Sequence, residues 1–311
     1  MKAIVLNNYG GPEDLQLQEI EIPVPNAYQV LVKVYAAAVN FLDIGKATGA
    51  FKNQFSLNFP WIPGIDFAGI IVSVGGQVKD FKVGDEVYGI SLNGGAFAEY
   101  IAVSTDVLAN KPHSLNFVES ASVPVSALTA WQALFQHNEI IKGKTVLIHG
   151  GAGAVGSYAV QLAHQAGAEV IVTADETNVL YLRLLGADRT IDRTERFEKL
   201  VSEVDIVLDL VGKDVQQRSF QVVKEGGTLV SFNQPPSAEL AAKFKINIAF
   251  QQLKPSGEGL SRIASLIDSG KLKIGLAAVY PLKDTTTAWN DQLGKLAHPK
   301  KNGRIVLDLS K

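Results

Sequence analysis

The sequence predicts an α/β protein in which a doubly wound parallel sheet is joined to a second, β-rich domain. Three observations point there. The first 110 or so residues read as short β-branched or alternating runs broken by Gly and Pro turns. From Phe117 onward, strand and helix patterns alternate, the mark of a parallel sheet with right-handed crossovers. An apolar strand, a glycine-rich loop and an amphipathic helix then follow one another directly over 145–165.

Taken in order, strands are expected at 2–6, 30–38, 68–74, 86–90 and 96–103, separated by Gly-Gly, Pro-x-Pro and Lys-x-Gly-Asp turns. A small-and-apolar stretch over 121–135 turns helical after Pro124. Strands at 145–149, 169–174, 187–191, 205–210 and 228–232 then alternate with helices at 157–165 and 179–185. A helix over 260–269, an extended run over 272–280 and a terminal strand over 304–309 close the chain. The last strands have no place in the parallel sheet and are expected to return to the first domain. The division expected is 1–116 with 271–311 against 117–270. With 311 residues, two domains are the natural count.

Composition narrows the function. Hydrophobic residues make up 47% and charged residues 19%, enough apolar side chain for a large core and too much for a disordered chain. Net charge is −2 and no basic run exceeds Lys300-Lys301, which argues against nucleic acid as partner. There are no cysteines, which excludes disulfides, thiolate nucleophiles, Fe–S clusters and cysteine-bearing zinc sites. The N-terminal apolar run is too short for a signal-peptide core, and Pro63 and Asp66 interrupt the most apolar stretch. A soluble, cytoplasmic protein without a membrane partner is expected.

The chemistry is carried by Val146-Leu147-Ile148-His149-Gly150-Gly151-Ala152-Gly153-Ala154-Val155-Gly156, in which Gly151, Gly153 and Gly156 fit G-x-G-x-x-G. The first glycine is expected to make the tight turn and the second to let backbone approach a pyrophosphate. The third lets helix and strand pack, leaving free N–H groups at the positive helix end. Asp175 ends the next strand about 20 residues on, where an acid bonds the adenosine ribose. A purely structural glycine turn is the weaker alternative, because strand and helix flank the loop correctly. A dinucleotide site is the expectation.

Further stretches carry a resemblance. They are Ala36-Ala37-Ala38-Val39-Asn40-Phe41-Leu42-Asp43, Pro63-Gly64-Ile65-Asp66-Phe67-Ala68-Gly69, Lys82-Val83-Gly84-Asp85-Glu86-Val87-Tyr88-Gly89, Gly94-Gly95-Ala96-Phe97-Ala98-Glu99-Tyr100, Ala127-Leu128-Thr129-Ala130-Trp131 and Leu185-Gly186-Ala187-Asp188. With the glycine loop they span nearly the whole chain, which resembles the medium-chain dehydrogenase/reductase superfamily and, within it, the zinc-independent quinone oxidoreductase-like branch. The resemblance implies a Rossmann domain, a GroES-like β-rich domain and a homodimer. It also implies NAD(P)H-dependent hydride transfer to a quinone or an α,β-unsaturated carbonyl (enone or enal). Zinc is not expected, since Gly64-Ile65-Asp66 stands where zinc-dependent members carry Gly-His-Glu. The chain departs from the branch at Ala47, with Lys46 beside it, where an arginine is common. It departs again at Ala154, within Gly153-Ala154-Val155-Gly156, where the branch has Gly-Gly-Val-Gly.

By resemblance Asn40 and Asp43 lie near the nicotinamide and are the catalytic candidates, with capping of the next helix as the alternative. The expected cofactor contacts are Thr129, Gly151, Ala152, Gly153, Ala154, Val155, Gly156, Ala174, Asp175, Arg193, Val211, Phe232, Asn233 and Gln234. Asp209 is read as bonding nearby loop N–H groups. His113, His137, His149, His164 and His298 show no metal spacing and read as surface or packing residues, with His149 alone placed to touch a cofactor. Asp175 suits the free ribose of NADH, whereas Arg193 suits the 2′-phosphate of NADPH. The expectation leans to NADPH. The run 245–250 reads as an edge strand able to pair across a dimer axis. A non-catalytic NAD(P)H-binding sensor or scaffold is the competing function.

Overall fold

The protein is described by a computed structural model over residues 1–138, 141–297 and 302–310; His298 lies outside the described residues. Contacts divide the chain into two compact units, 1–125 with 255–270 and 274–311, and 126–254 with 271–273.

The first unit opens with β1 (Lys2–Val5) paired antiparallel to β2 (Gln16–Glu19). Next come β3 (Gln29–Ala38), α1 (Phe41–Ala47), β4 (Asp66–Val74), β5 (Glu86–Ile90), β6 (Tyr100–Ser104), β7 (Leu108–Asn110) and α2 (Phe117–Ala121). β3 is the organising strand. Val30, Val32 and Val34 are buried in strict alternation, as one face of a pleated strand requires. From Ala36 to Ala38 every residue is buried. Small side chains suit that end, because β3 is flanked there by β4 on one side and the returning C-terminal strand on the other.

The expected strand over 96–103 forms only from Tyr100. Ala96 and Phe97 donate to Gly64 O and Pro63 O, at 3.0 and 2.9 Å, and the segment meets β1 only through an isolated bridge between Ala98 and Ala3, so it stays outside the sheet that Tyr100 enters.

The second unit contains α3 (Pro124–Phe135) from Ser126 on, β8 (Thr145–His149), α4 (Ala154–Gln165), β9 (Glu169–Ala174), α5 (Val179–Leu185), β10 (Arg189–Asp192) and β11 (Val204–Asp209). α6 (Lys213–Ser219), β12 (Val223–Ser231), α7 (Ala238–Phe244) and β13 (Asn247–Phe250) complete it. α3 begins on the proline, whose missing N–H and fixed φ suit a first helical position. The six strands are all parallel, in the order β10-β9-β8-β11-β12-β13. That is the 3-2-1-4-5-6 order of a doubly wound dinucleotide-binding sheet, and its direction reverses between β8 and β11. β13, within the run read as an edge strand, pairs with β12 on one side.

The chain then returns through α8 (Gly257–Asp268), β14 (Leu276–Pro281), α9 (Thr285–Gln292) and β15 (Arg304–Asp308). β14 and β15 join the sheet of the first unit, where β15 runs antiparallel to β3. α8 also packs with the first unit, although the sequence division placed it with the parallel sheet. Three contacts explain this. Tyr88 Oη donates to Leu260 O at 2.6 Å, Gly257 approaches Leu108 O so closely that a Cβ would stand 2.2 Å away, and Asp268 accepts from the Ser114 hydroxyl and the His113 and Ser114 amides.

β15 carries a buried ion pair into this sheet. Arg304 donates to Asp66 Oδ2 at 3.1 Å, and their side chains are 7% and 0% exposed. Removing one partner of such a pair strands the other charge away from water. Arg304→Met is expected to destabilise the protein by about 3–5 kcal/mol. Asp66→Asn added to it should restore part of the loss. Urea unfolding of the three proteins checks this, and an Arg304→Met variant as stable as the parent would refute it.

Candidate functional site

The glycine loop lies at the carboxyl end of β8, where the sheet order reverses. Each glycine there answers a different steric demand. Gly150, one residue before the sequence fingerprint, carries the left-handed turn at φ +76°, and its amide donates to Thr173 O at 3.1 Å. The turn role expected of Gly151 therefore belongs to its neighbour. Gly151 is needed because a Cβ would stand 2.1 Å from Val172 Cγ1. At Gly156 a Cβ would meet Gly150 O at 2.4 Å and Gly151 Cα at 2.6 Å, so the third glycine sets how closely α4 approaches the loop. Gly153 differs. A Cβ there meets only Gly150 O, at 3.2 Å, and the residue is the exposed N-cap of α4, with no side chain to satisfy the first amides of the helix. An open backbone at a 12-residue helix N-terminus fits the pyrophosphate of a dinucleotide.

The neighbouring strand ends bring other expected residues to the same edge. Ala174 closes β9 and accepts the Arg193 amide at 2.9 Å. The Arg193 Nε in turn donates to Asp175 Oδ1, so the two residues with opposed claims on the ribose are ion-paired with each other at the surface. At the end of β11, Asp209 Oδ1 accepts from Val211 N at 3.0 Å and Gly212 N at 2.7 Å, the structural use expected of it. Val211 is 45% exposed as a result. Past β12, Asn233 Nδ2 donates to Leu210 O at 2.9 Å, which links the two loops. Gln234 is held by Gln216 and Ser231, and Phe232 between them is half-buried. Ala152, Ala154 and Val155 line the loop and first turn, also half-buried. Thr129 is buried on α3, a separate element.

His149 is not at the surface of this edge. It is fully buried, with Nδ1 2.9 Å from Thr173 Oγ1, Nε2 3.0 Å from Ser219 Oγ, and its ring against Phe197. The Ser219 hydroxyl donates to Val215 O, which leaves it to accept from Nε2–H. Nδ1 is then the acceptor of the Thr173 proton. Burial, aided by the Arg218 charge, pushes the ring pKa down to about 3. This is a neutral structural histidine.

In the first unit, Asn40 and Asp43 sit at the start of α1, 2% and 0% exposed. Asp43 accepts from Asn40 N at 3.0 Å and Gly64 N at 3.2 Å. The Asn40 side chain donates to Asp66 Oδ2 at 3.0 Å and accepts from Arg304. Asp43 thus caps the first turn through Asn40 N, whereas the Asn40 side chain makes no cap hydrogen bond and bridges to the buried ion pair instead. Burial lifts Asp43 to about 7 and holds Asp66 above the usual carboxylate range, against the pull of Arg304. Arg304 was missed as a site residue; its signal was a charge at the head of an otherwise apolar terminal run.

Residues 26–113 match the family described as alcohol dehydrogenase GroES-like domain, and 185–307 that described as zinc-binding dehydrogenase. Residues 119–207 also match the glutamate/leucine/phenylalanine/valine dehydrogenase family. The chain is thus a two-unit dehydrogenase or reductase built on a dinucleotide-binding sheet. It is 39% identical over 285 residues to a 2-methylene-furan-3-one reductase of Solanum lycopersicum, covering 88% of this chain and 70% of that one. An NADPH-dependent alkenal/one oxidoreductase of Arabidopsis thaliana is also 39% identical, with 88% and 71% covered. The solved quinone oxidoreductase of Coxiella burnetii superposes with a TM-score of 0.89 at 33% identity, covering 99% of both chains. The chain belongs to the quinone oxidoreductase-like family of the medium-chain dehydrogenases/reductases.

The zinc in one family's description finds no matching set of donors among the described residues. There is no cysteine, no group of three or more His, Asp or Glu comes together among the described residues, and Asp66 is held by Arg304, Asn40 and Val125 N.

Two expectations follow. Gly153→Val should abolish dinucleotide binding in a fluorescence titration while the fold persists, because its Cβ asks Gly150 O to give only a few tenths of an ångström but has no room beside a phosphate. Unchanged binding would remove the loop from the site. For His149, the unfolded chain takes up a proton near pH 6.5 that the folded chain refuses until about 3. Its contribution to stability is therefore whole above 6.5 and falls as pH drops toward 3. Its ring resonances should not titrate between roughly pH 5 and 8; a midpoint in that range would refute the assignment.

Proposed function

We propose that this chain is a reductase using NAD(P)H, without zinc, to deliver hydride to a quinone or an α,β-unsaturated carbonyl. The observation that carries the reading is the open Gly153 backbone at the N-terminus of α4, at the reversal point of the sheet. The named relatives support the acceptor class and favour an enzyme over a sensor or scaffold. When bound, the nicotinamide supplies the hydride. The protein's part is to hold the dinucleotide along Gly151–Gly156, with Ala174, Asp175 and Arg193 at the ribose and Thr129, Val211, Phe232, Asn233 and Gln234 toward the nicotinamide. Asn40 and Asp43 enter as the buried frame of α1 rather than as groups in the open. The free edge of β13 supports a homodimer, and a cytoplasmic location completes the reading.

NADPH is the preferred cofactor in this reading. An unpaired Asp175 carboxylate repels a 2′-phosphate, but Arg193 neutralises it and keeps further guanidinium N–H groups for the anion. Steady NADPH oxidation with at least one of a small panel of quinones and enones is expected, and oxidation with none of them would refute the reading. Arg193→Ala should weaken NADPH more than NADH, whereas Asp175→Ser should favour NADPH further, both read as dissociation constants. Equal affinities untouched by either change would show that neither residue reads the ribose.

A further inference from the structure

A groove of about 370 Å³ opens at the amino edge of the parallel sheet, at the far end of α4 from the glycine loop. All of its lining residues belong to the second unit. Its walls are the last turns of α4 and α5 and the short segment 271–273. The two helix ends lie close together, since a Cβ on Gly186, whose φ is +105°, would stand 2.5 Å from His164 Cγ. Two glutamines one turn apart on α4 fix the third wall. Gln161 Nε2 donates to Lys273 O at 3.1 Å while its Oε1 accepts from Lys273 N at 2.7 Å, and Gln165 Nε2 donates to Lys271 O. The backbone of the segment is thereby tied to the helix, and the Lys271 and Lys273 side chains are left exposed.

Arg183 brings a third cation to the groove from α5. Among the described residues, no hydrogen bond or ion pair reaches the side-chain nitrogens of Arg183, Lys271 or Lys273. Basic side chains in a last helical turn commonly serve its open carbonyls. Here backbone amides hold those carbonyls instead. Gly186 N donates to Arg183 O at 3.1 Å, Ala187 N to Leu182 O at 3.0 Å, and Gly167 N to His164 O at 2.9 Å. The one carboxylate in the lining, Asp188, accepts from Val170 N at 2.8 Å. Three cations against one acid leave the groove with a surplus of two positive charges. Leu184, 68% exposed, stands in the same lining and offers an apolar surface beside them.

We propose that this groove binds a phosphomonoester, with Arg183, Lys271 and Lys273 on the phosphate and the organic body against Leu184. A phosphomonoester is close to a dianion at neutral pH, which matches the surplus charge. The guanidinium offers paired N–H groups to two phosphate oxygens, and the ammoniums add point charges around them. The volume is that of a site for a small organic molecule, more than the phosphate group fills alone. The site is distinct from the dinucleotide loop, because Gly153 to His164 spans about 16 Å of helix. It therefore stands or falls independently of the reductase reading above.

The test titrates inorganic phosphate, and separately phenyl phosphate, into the whole chain at fixed pH and ionic strength. The readout is the His164 ring resonance, identified by its loss in His164→Gln. That ring marks the groove, so phosphate held at the glycine loop leaves it in place. Saturable shifts are expected with phosphate and none with chloride. Arg183→Gln should weaken phosphate about tenfold, the loss of one charge-assisted contact, and Lys271→Gln with Lys273→Gln should weaken it further. Arg183, Lys271 and Lys273 are all exposed, so these variants keep the fold. Phenyl phosphate should bind several-fold tighter than phosphate, and Leu184→Asn should erase that advantage while phosphate affinity stays the same. A parent whose His164 ring responds to neither probe, or equally to chloride, overturns the proposal, as does phosphate affinity untouched by Arg183→Gln. Equal affinity for phosphate and phenyl phosphate overturns the ester in favour of the free ion.

Discussion

A carboxylate sealed from water has to be met by donors, and a fold that buries one must bring them to it. Asp66 is such a group, and its donors come from three distant places in the chain. Asn40 arrives from the start of α1, Val125 from the end of the unit's first segment, and Arg304 from the head of β15. None can leave without stranding the charge. The pair is weak evidence of net stability, since an apolar replacement of both members is often as good, but it specifies strongly which partners meet. Here it fixes the register in which β15 reaches β3, opposite Ala36 to Ala38, and so closes a sheet whose strands come from both ends of the chain.

The second unit depends on a steric limit in place of a charge. β8, β9 and α4 converge so tightly at the loop that two of its glycines have no space for a methyl group, and a third must take a left-handed φ. Gly153 is the exposed one of the four, and a Cβ there would meet Gly150 O at 3.2 Å, a contact that needs a shift of a few tenths of an ångström. The buried and left-handed glycines build the loop, and the exposed one faces what the loop binds.

Periodicity and turn chemistry exposed most of this in the sequence. The parallel strands were legible because buried strands are continuous apolar runs of characteristic length, and 145–149 and 169–174 match β8 and β9 end for end. What was not legible depends on contacts between remote positions. The piece 96–99 has strand composition but is shared between the 63–64 turn and a single bridge to β1, and α8 looks like any amphipathic crossover helix until Tyr88, Leu108 and Ser114 claim it. At the site, spacing located the glycines but misassigned the turn by one residue, since G-x-G-x-x-G does not reveal which glycine takes positive φ. That Asp175 and Arg193 would pair with each other follows from adjacent strands ending together, a fact of sheet order and not of local sequence.

Burial of ionisable groups is met in three ways here, and the contrast separates structure from chemistry. His149 is neutral, with a donor for one ring nitrogen and an acceptor for the other, so nothing about it calls for a ligand. Asp43 has two backbone amides on its carboxylate, and burial still lifts it to about 7; it is balanced between charge states but closed to visitors. Lys46 has one carbonyl and the face of a ring. A folded protein seldom leaves a buried cation with donors to spare, because the desolvation cost is not offset without partners. Of the three, Lys46 has the fewest hydrogen-bond partners among the described residues, and the face of Phe55 stands where a second acceptor would.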